Sequence, residues 1–157
     1  MTQTPALKSR LRFDLTDSMR SRDEVRTATL RMALTAVTNE EVSGSQAREL
    51  SDDEVMTVLA REAKKRREAA TAYDEANRSE LAERERAELV VLEAYLPAAM
   101  GDVELAALVG EAVAETRAAG TQGPRAMGAV MKLVGPRVGA AAEGGRVAAE
   151  VRRQLGL

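Results

Sequence analysis

The sequence predicts an all-α fold in which an N-terminal four-helix domain is followed by a smaller three-helix C-terminal domain. Aromatic residues make up 2% of the 157 residues and charged residues 31%, and the abundant Ala, Leu, Glu and Arg are favourable helix formers. No stretch of any length shows the apolar–polar alternation of a strand. Pro97 cannot continue the charged helical segment before it, because proline lacks the N–H and clashes with the preceding turn. We therefore predict domains at 1–97 and 98–157.

The N-terminal domain is predicted to contain helices at about 5–20, 23–42, 52–76 and 78–96. The first carries apolar residues at steps of four, as one face of an amphipathic helix does: Leu7, Leu11, Leu15 and Met19. Ser43, followed by Gly44, ends the second helix. The third starts with a capping box, in which Ser51 accepts from the N–H of Glu54 while Glu54 reaches back. Asn77 and Glu80 repeat that spacing, which predicts the start of the fourth helix.

The C-terminal domain is predicted to contain helices at about 102–119, 124–135 and 145–156. The fifth helix has the clearest helical period in the chain, formed by Leu105, Leu108, Val109, Ala112, Val113 and Thr116. Gly120 stops it, and Pro124 suits the first position of the sixth helix. Gly135 and Pro136 are predicted to end that helix, and a short last helix follows. Met19, Met32, Met127 and Met131 lie at helical spacing and are expected to pack in cores.

The residues that are missing restrict the chemistry. The chain has no histidine and no cysteine, which excludes Ser–His and Cys–His catalytic machinery, His-ligated zinc and thiolate chemistry. We therefore predict no catalytic residues, no metal site and no cofactor. No run of about 18 apolar residues occurs, so no membrane span is expected, and the N-terminus lacks an apolar signal region. These features predict a cytoplasmic protein.

The charge changes sign along the C-terminal half. Residues 77–116 carry a net charge of −6 and residues 117–157 a net charge of +5. The basic segment lies around helix ends and glycine-rich turns, where phosphate can be held by backbone and side chains together. Single-stranded RNA is usually also stacked on aromatic side chains, and this segment contains none. The predicted RNA-binding residues are Arg125, Lys132, Arg137, Arg146, Arg152 and Arg153.

A second basic run, at residues 64–67, could also grip phosphate. Four consecutive helical residues point to all sides of a helix, so the run cannot form one basic face. Glu62 and Glu68 flank it, and charge runs on helices are usually just solvated, which is the interpretation we favour. Arg66 falls on the apolar stripe, so its stem is expected to lie along the core.

Several strings occur in an order that resembles the GatB/YqeY family. They are Leu30-Arg31-Met32 with Asn39-Glu40-Glu41, the start at Ser51, Glu62 to Arg67, Glu88 to Pro97 with its LExYLP core, and Met127-Gly128-x-Val130-Met131. Stand-alone members of this family are similar to the helical tail of the B subunit of the tRNA-dependent amidotransferase. The resemblance implies four N-terminal and three C-terminal helices, and the family's carbon–nitrogen ligase activity with glutamine as amido-N donor.

The resemblance leads to a binding role rather than an intrinsic activity. In the full amidotransferase the glutaminase and phosphoryl-activation chemistry reside outside this tail, and the tail helps to recognise tRNA. The first hypothesis is therefore a non-catalytic tRNA- or RNA-binding accessory module. The alternative is a helical adaptor that docks on an amidotransferase or aminoacyl-tRNA synthetase component without touching RNA. An intrinsic amidotransferase is the third possibility, although the sequence has no catalytic constellation for it.

One turn departs from the family pattern. Members commonly carry a Gly-Arg-Ala-Asp-Gly turn before the last helix, whereas this chain reads Gly-Ala-Ala-Ala-Glu-Gly over residues 139–144 and lacks the arginine. If that arginine contacts RNA phosphate, the contact is lost here. Arg137 and Arg146 flank the turn and are the candidates to replace it.

Overall fold

The computed structural model describes residues 6–157, and within that range the chain forms seven α-helices and no strand. The helices are α1 Leu7–Arg20, α2 Glu24–Glu41, α3 Asp52–Glu75, α4 Ser79–Glu93, α5 Asp102–Ala118, α6 Pro124–Val138 and α7 Gly144–Leu155. The all-α prediction and the helix count are confirmed for these residues. Residue 5, where the first helix was predicted to begin, lies outside the described part. None of the helices in residues 6–157 is long and apolar enough to cross a membrane.

The chain packs as two compact units, of which the first ends at Leu96 and the second is Pro97–Leu157. In the first unit α3 packs most extensively on α4, and α1 on α2. Its fully buried side chains include Leu11, Leu30, Leu59 and Leu92. In the second unit α5 packs on both α6 and α7. Its core is built largely of valines: Val109, Val130, Val134 and Val151 are all fully buried.

Local chemistry explains how α3 begins and ends. The capping box is present, because Ser51 Oγ accepts from the Glu54 N–H at 3.2 Å and Glu54 Oε2 accepts from the Ser51 N–H at 2.9 Å. The second predicted box is wrong, because Asn77 has φ +57° and ends α3 instead of capping α4. The Arg78 N–H donates to the Tyr73 carbonyl at 2.8 Å, as in a Schellman motif, and asparagine tolerates this left-handed conformation.

Two predicted helix ends are also wrong. α4 ends at Glu93 rather than near 96, and a turn leads to Pro97. α6 does not stop at Gly135 but continues through Pro136 to Val138. The extra turn buries Val138 in the core of the second unit, and the Gly139 N–H still donates to the Gly135 carbonyl at 2.9 Å. Burial therefore outweighs the one helical hydrogen bond that proline removes.

The methionine prediction holds for α6 and fails for α1 and α2. Met127 and Met131 are partly buried against the core of the second unit, whereas Met19 is 44% exposed and Met32 is 50% exposed. A step of four residues advances about 40° beyond a full turn of a helix. Three such steps carry Met19 about 120° away from Leu7, and Ser18 takes the fully buried position instead.

Candidate nucleic-acid interface

The six predicted RNA-binding cations all lie in the second unit, on α6 and α7. Arg125 and Lys132 are exposed and are seven residues apart on α6, which places them on one side of the helix, two turns apart. Neither forms an ion pair with any residue in the range 6–157. Both charges are uncompensated and face solvent, so both are available to bind an anion.

Two glycines share that side of α6. Gly128 and Gly135 are exposed and follow Arg125 by three and ten residues. A Cβ added at either glycine would meet no atom within 4 Å, so packing does not require glycine there. Because glycine has no side chain, the helix backbone at these two positions is left uncovered beside the two cations. We call Arg125, Gly128, Lys132 and Gly135 the α6 outer face; the cations were predicted from the sequence, whereas the glycines were missed although they follow the same spacing.

The start of α6 adds positive potential to this face. Pro124 occupies the first turn as predicted, the N-cap Gly123 has φ +68°, no side chain caps the helix, and the first turn contains no acidic residue. Arg125 is therefore a cation at the positive end of a helix dipole, which is unfavourable for the helix and favourable for a bound anion.

The two arginines that flank the altered turn are engaged by α5. Both carboxylate oxygens of Glu115 accept from Arg137 Nη2 at 3.0 Å, and Asp102 Oδ1 accepts from Arg146 Nη2 at 2.8 Å. Asp102 and Glu115 are thirteen residues apart on α5, which corresponds to about 20 Å along the helix. The two guanidinium groups are therefore held near opposite ends of α5 and do not converge on one position beside the turn.

The remaining predicted cations, on α7, differ from each other. Glu150 accepts from Arg153 Nε at 2.9 Å and Nη2 at 2.6 Å. This contact with Arg153, together with a hydrogen bond from Gln154, lowers the pKa of Glu150 to about 2. Arg152 is exposed and has no ion-pair partner among the residues that the structure describes. Three of the six predicted cations are thus paired, and three are available.

The basic run of α3 is fully occupied by neighbouring carboxylates. Lys65 Nζ lies 2.9 Å from Glu62, and Arg66 lies 2.6 Å from Glu62 and 3.5 Å from Glu88. Arg66 is 5% exposed, so its stem lies in the packed interior as predicted. Burial alone would raise the pKa of Glu62, but hydrogen bonds from Lys65 and Arg66 outweigh it and lower that pKa. This geometry supports a structural role for the run.

Tyr95, in the LExYLP string, anchors the end of the first unit. It is 6% exposed, and its hydroxyl donates to Asp14 Oδ2 on α1. Arg26 Nη2 lies 3.8 Å from the same carboxylate oxygen, and the Arg10 guanidinium stacks over the Tyr95 ring at 4.8 Å. Burial and the Asp14 carboxylate raise the pKa of Tyr95 to about 12. The ring therefore packs and ties α1 to the chain after α4.

Sequence comparisons agree with the family resemblance that the sequence motifs indicate. A family model described as Yqey-like protein matches residues 8–155, which is nearly the whole chain. An uncharacterized protein of Schizosaccharomyces pombe is 33% identical over 93 residues, which cover 59% of this chain and 74% of that protein.

Proposed function

The chain belongs to the YqeY-like family, and we propose that it is a non-catalytic accessory protein that binds tRNA through the α6 outer face. The observation that carries this proposal is the pair of unpaired cations on one side of α6: Arg125 lies in the uncapped first turn, where backbone N–H groups are free, and Lys132 lies two turns further on. Phosphate oxygens are bound by this combination of cation, backbone N–H and positive helix end. The resemblance to the amidotransferase tail supports tRNA as the ligand.

The proposal assigns different roles to the six cations. Arg125, Lys132 and Arg152 contact phosphate directly, since no carboxylate competes for them. Arg137, Arg146 and Arg153 contribute only when RNA displaces Glu115, Asp102 and Glu150. Exposed ion pairs are worth about 0 to 1 kcal/mol, so phosphate can compete for these arginines.

A mobility-shift titration with tRNA at about 50 mM salt tests the proposal, because phosphate contacts are strong at that concentration. The wild-type chain should bind, and Arg125→Ala with Lys132→Ala should weaken binding at least tenfold. Arg61→Ala with Lys64→Ala removes the same charge from exposed positions of α3 and should change affinity little. Absence of binding below tens of micromolar, or equal losses in both double variants, would refute it.

The proposal also excludes an intrinsic amidotransferase activity. The purified chain should give no glutamine-dependent amidation of mischarged tRNA on its own, whereas turnover by the chain alone would contradict the non-catalytic assignment.

We further propose that the two units are independent domains, four-helix 1–97 and three-helix 98–157. The separate cores support this division. Each fragment expressed alone should then melt cooperatively by circular dichroism, and a fragment without a cooperative transition would count against it.

A further inference from the structure

The first unit carries an apolar strip that its own core does not use. Val25, Ala28 and Met32 lie on one side of α2, at spacings of three and four residues. Val25 is 41% exposed and Met32 50%, and Met19 of α1 is 44% exposed. Met19 of α1 and Ala28 of α2 line the same open groove of about 380 Å³, so the groove lies between these two helices. We call Met19, Val25, Ala28 and Met32 the α1–α2 strip.

Arginines border this strip. Arg22, Arg31 and Glu24 line the same groove. Arg22 forms no ion pair within residues 6–157, and Arg31 Nη2 donates to Met19 Sδ at 3.3 Å. Arg22 also has φ +57°, a left-handed conformation that costs a non-glycine residue about 1 to 2 kcal/mol. Two arginines against one glutamate leave this border with a net charge of +1.

The combination of apolar strip and positive border indicates the class of partner. Phosphate would use the arginines but would leave the methionines and Val25 in water. An amphipathic helix buries its apolar side in such a groove, and flexible methionine side chains adapt to it. From Val25 to Met32 the strip runs about 10 Å along α2, enough for two turns of a docked helix. The arginines then select acidic residues beside the apolar side of the partner.

We propose that the α1–α2 strip docks an amphipathic helix of a partner protein that carries acidic residues beside its apolar face. This surface belongs to the first unit, so the inference goes beyond RNA binding by α6 and does not depend on it.

Fluorescence anisotropy with two labelled synthetic helices tests the inference. Both peptides have about 18 residues, five helical turns, with leucine at the same amphipathic positions; one carries glutamate at the polar positions and the other lysine. The full-length chain should bind the glutamate peptide at least tenfold more tightly. Val25→Glu should weaken that binding at least tenfold. Val103→Glu is the matched control, because Val103 is also the second residue of a helix and is 86% exposed.

Reversing the charge of the two arginines should change the affinities for the two peptides in opposite directions, which loss of folding would not do. Arg22→Glu with Arg31→Glu should weaken binding of the glutamate peptide and strengthen binding of the lysine peptide. Equal affinity of the two peptides for the wild-type chain would overturn the inference, as would Val25→Glu and Val103→Glu having the same effect. If Val25→Glu leaves peptide binding unchanged and instead weakens tRNA binding, the strip contacts RNA and the inference is wrong.

Discussion

Removing the carboxylates that hold Arg137 and Arg146 should strengthen RNA binding and make it more sensitive to salt. Glu115→Gln and Asp102→Asn keep the size of both side chains and delete their charges. Arg137 and Arg146 are then available to phosphate, because Glu115 pairs with Arg137 at 3.0 Å and Asp102 pairs with Arg146 at 2.8 Å. The perturbation therefore tests whether α5 competes with RNA for these two arginines.

The structure sets the size of the effect. Each cation that neutralises a phosphate adds about 0.7 to 0.9 to the slope of log affinity against log salt concentration. Three unpaired cations, Arg125, Lys132 and Arg152, predict a slope of about −2 to −3 for the wild-type chain, and two more predict about −3.5 to −4.5 for the double variant. Each exposed ion pair is worth at most about 1 kcal/mol, so its removal should raise affinity by at most about fivefold.

The measurement is a set of tRNA titrations between about 50 and 200 mM salt. Glu104→Gln with Glu111→Gln is the matched control, because it removes the same charge from α5. Neither glutamate forms an ion pair within residues 6–157, so no arginine is released. The control should leave the slope unchanged. If it steepens the slope as much as Glu115→Gln with Asp102→Asn does, general charge explains the effect. If neither pair changes the slope or the affinity, Arg137 and Arg146 lie outside the interface, and the competition argument is refuted.

Three further outcomes follow from individual side chains. Gly128→Ala should stabilise α6 by about 0.5 to 1 kcal/mol and yet weaken tRNA binding, measured by thermal melts and mobility shift; a gain in stability with unchanged affinity would show that RNA does not approach the bare backbone. Because contacts with Arg153 and Gln154 lower the pKa of Glu150 to about 2, the unfolded chain takes up this proton near pH 4.3 while the folded chain does not. The stability that ionised Glu150 contributes is complete above about pH 4.3 and is lost as the pH falls towards 2. The melting temperature of Glu150→Gln should therefore fall less steeply with decreasing pH than that of the wild type, and parallel curves would contradict the assignment. Tyr95→Phe should cost about 1.5 to 3 kcal/mol in urea unfolding, because it removes the hydrogen bond to Asp14, and an unchanged midpoint would mean that this bond contributes nothing.

Helix boundaries were predictable from the sequence where short-range chemistry determines them. The Ser51–Glu54 box and Pro124 at the first turn of α6 are local signals, and both are present. The prediction failed at Pro136, because the local rule for proline takes no account of the burial of Val138. It failed at Met19 because steps of four do not match a period of 3.6 residues.

The composition of the candidate interface was predictable, but the state of its charges was not. Arg137 and Glu115 are 22 residues apart in sequence, and Arg146 and Asp102 are 44 apart. No local pattern reports such pairs, since they exist only once α6 and α7 pack against α5. Counting charges along the sequence therefore gave a net +5 segment without separating the available cations from the compensated ones.

The two sides of α6 have opposite effects on the stability of the helix. The inner side buries Val130, Val134 and Val138, and burial of this kind stabilises a helix within its domain. The outer side contains two helical glycines and an arginine at the positive end of the dipole, each of which lowers helix stability. Alanine would fit at both glycines without a clash, so the core gives no reason for glycine there. What these residues supply is uncompensated positive charge on an exposed side where two positions carry no side chain, which allows a phosphate group to approach the helix closely.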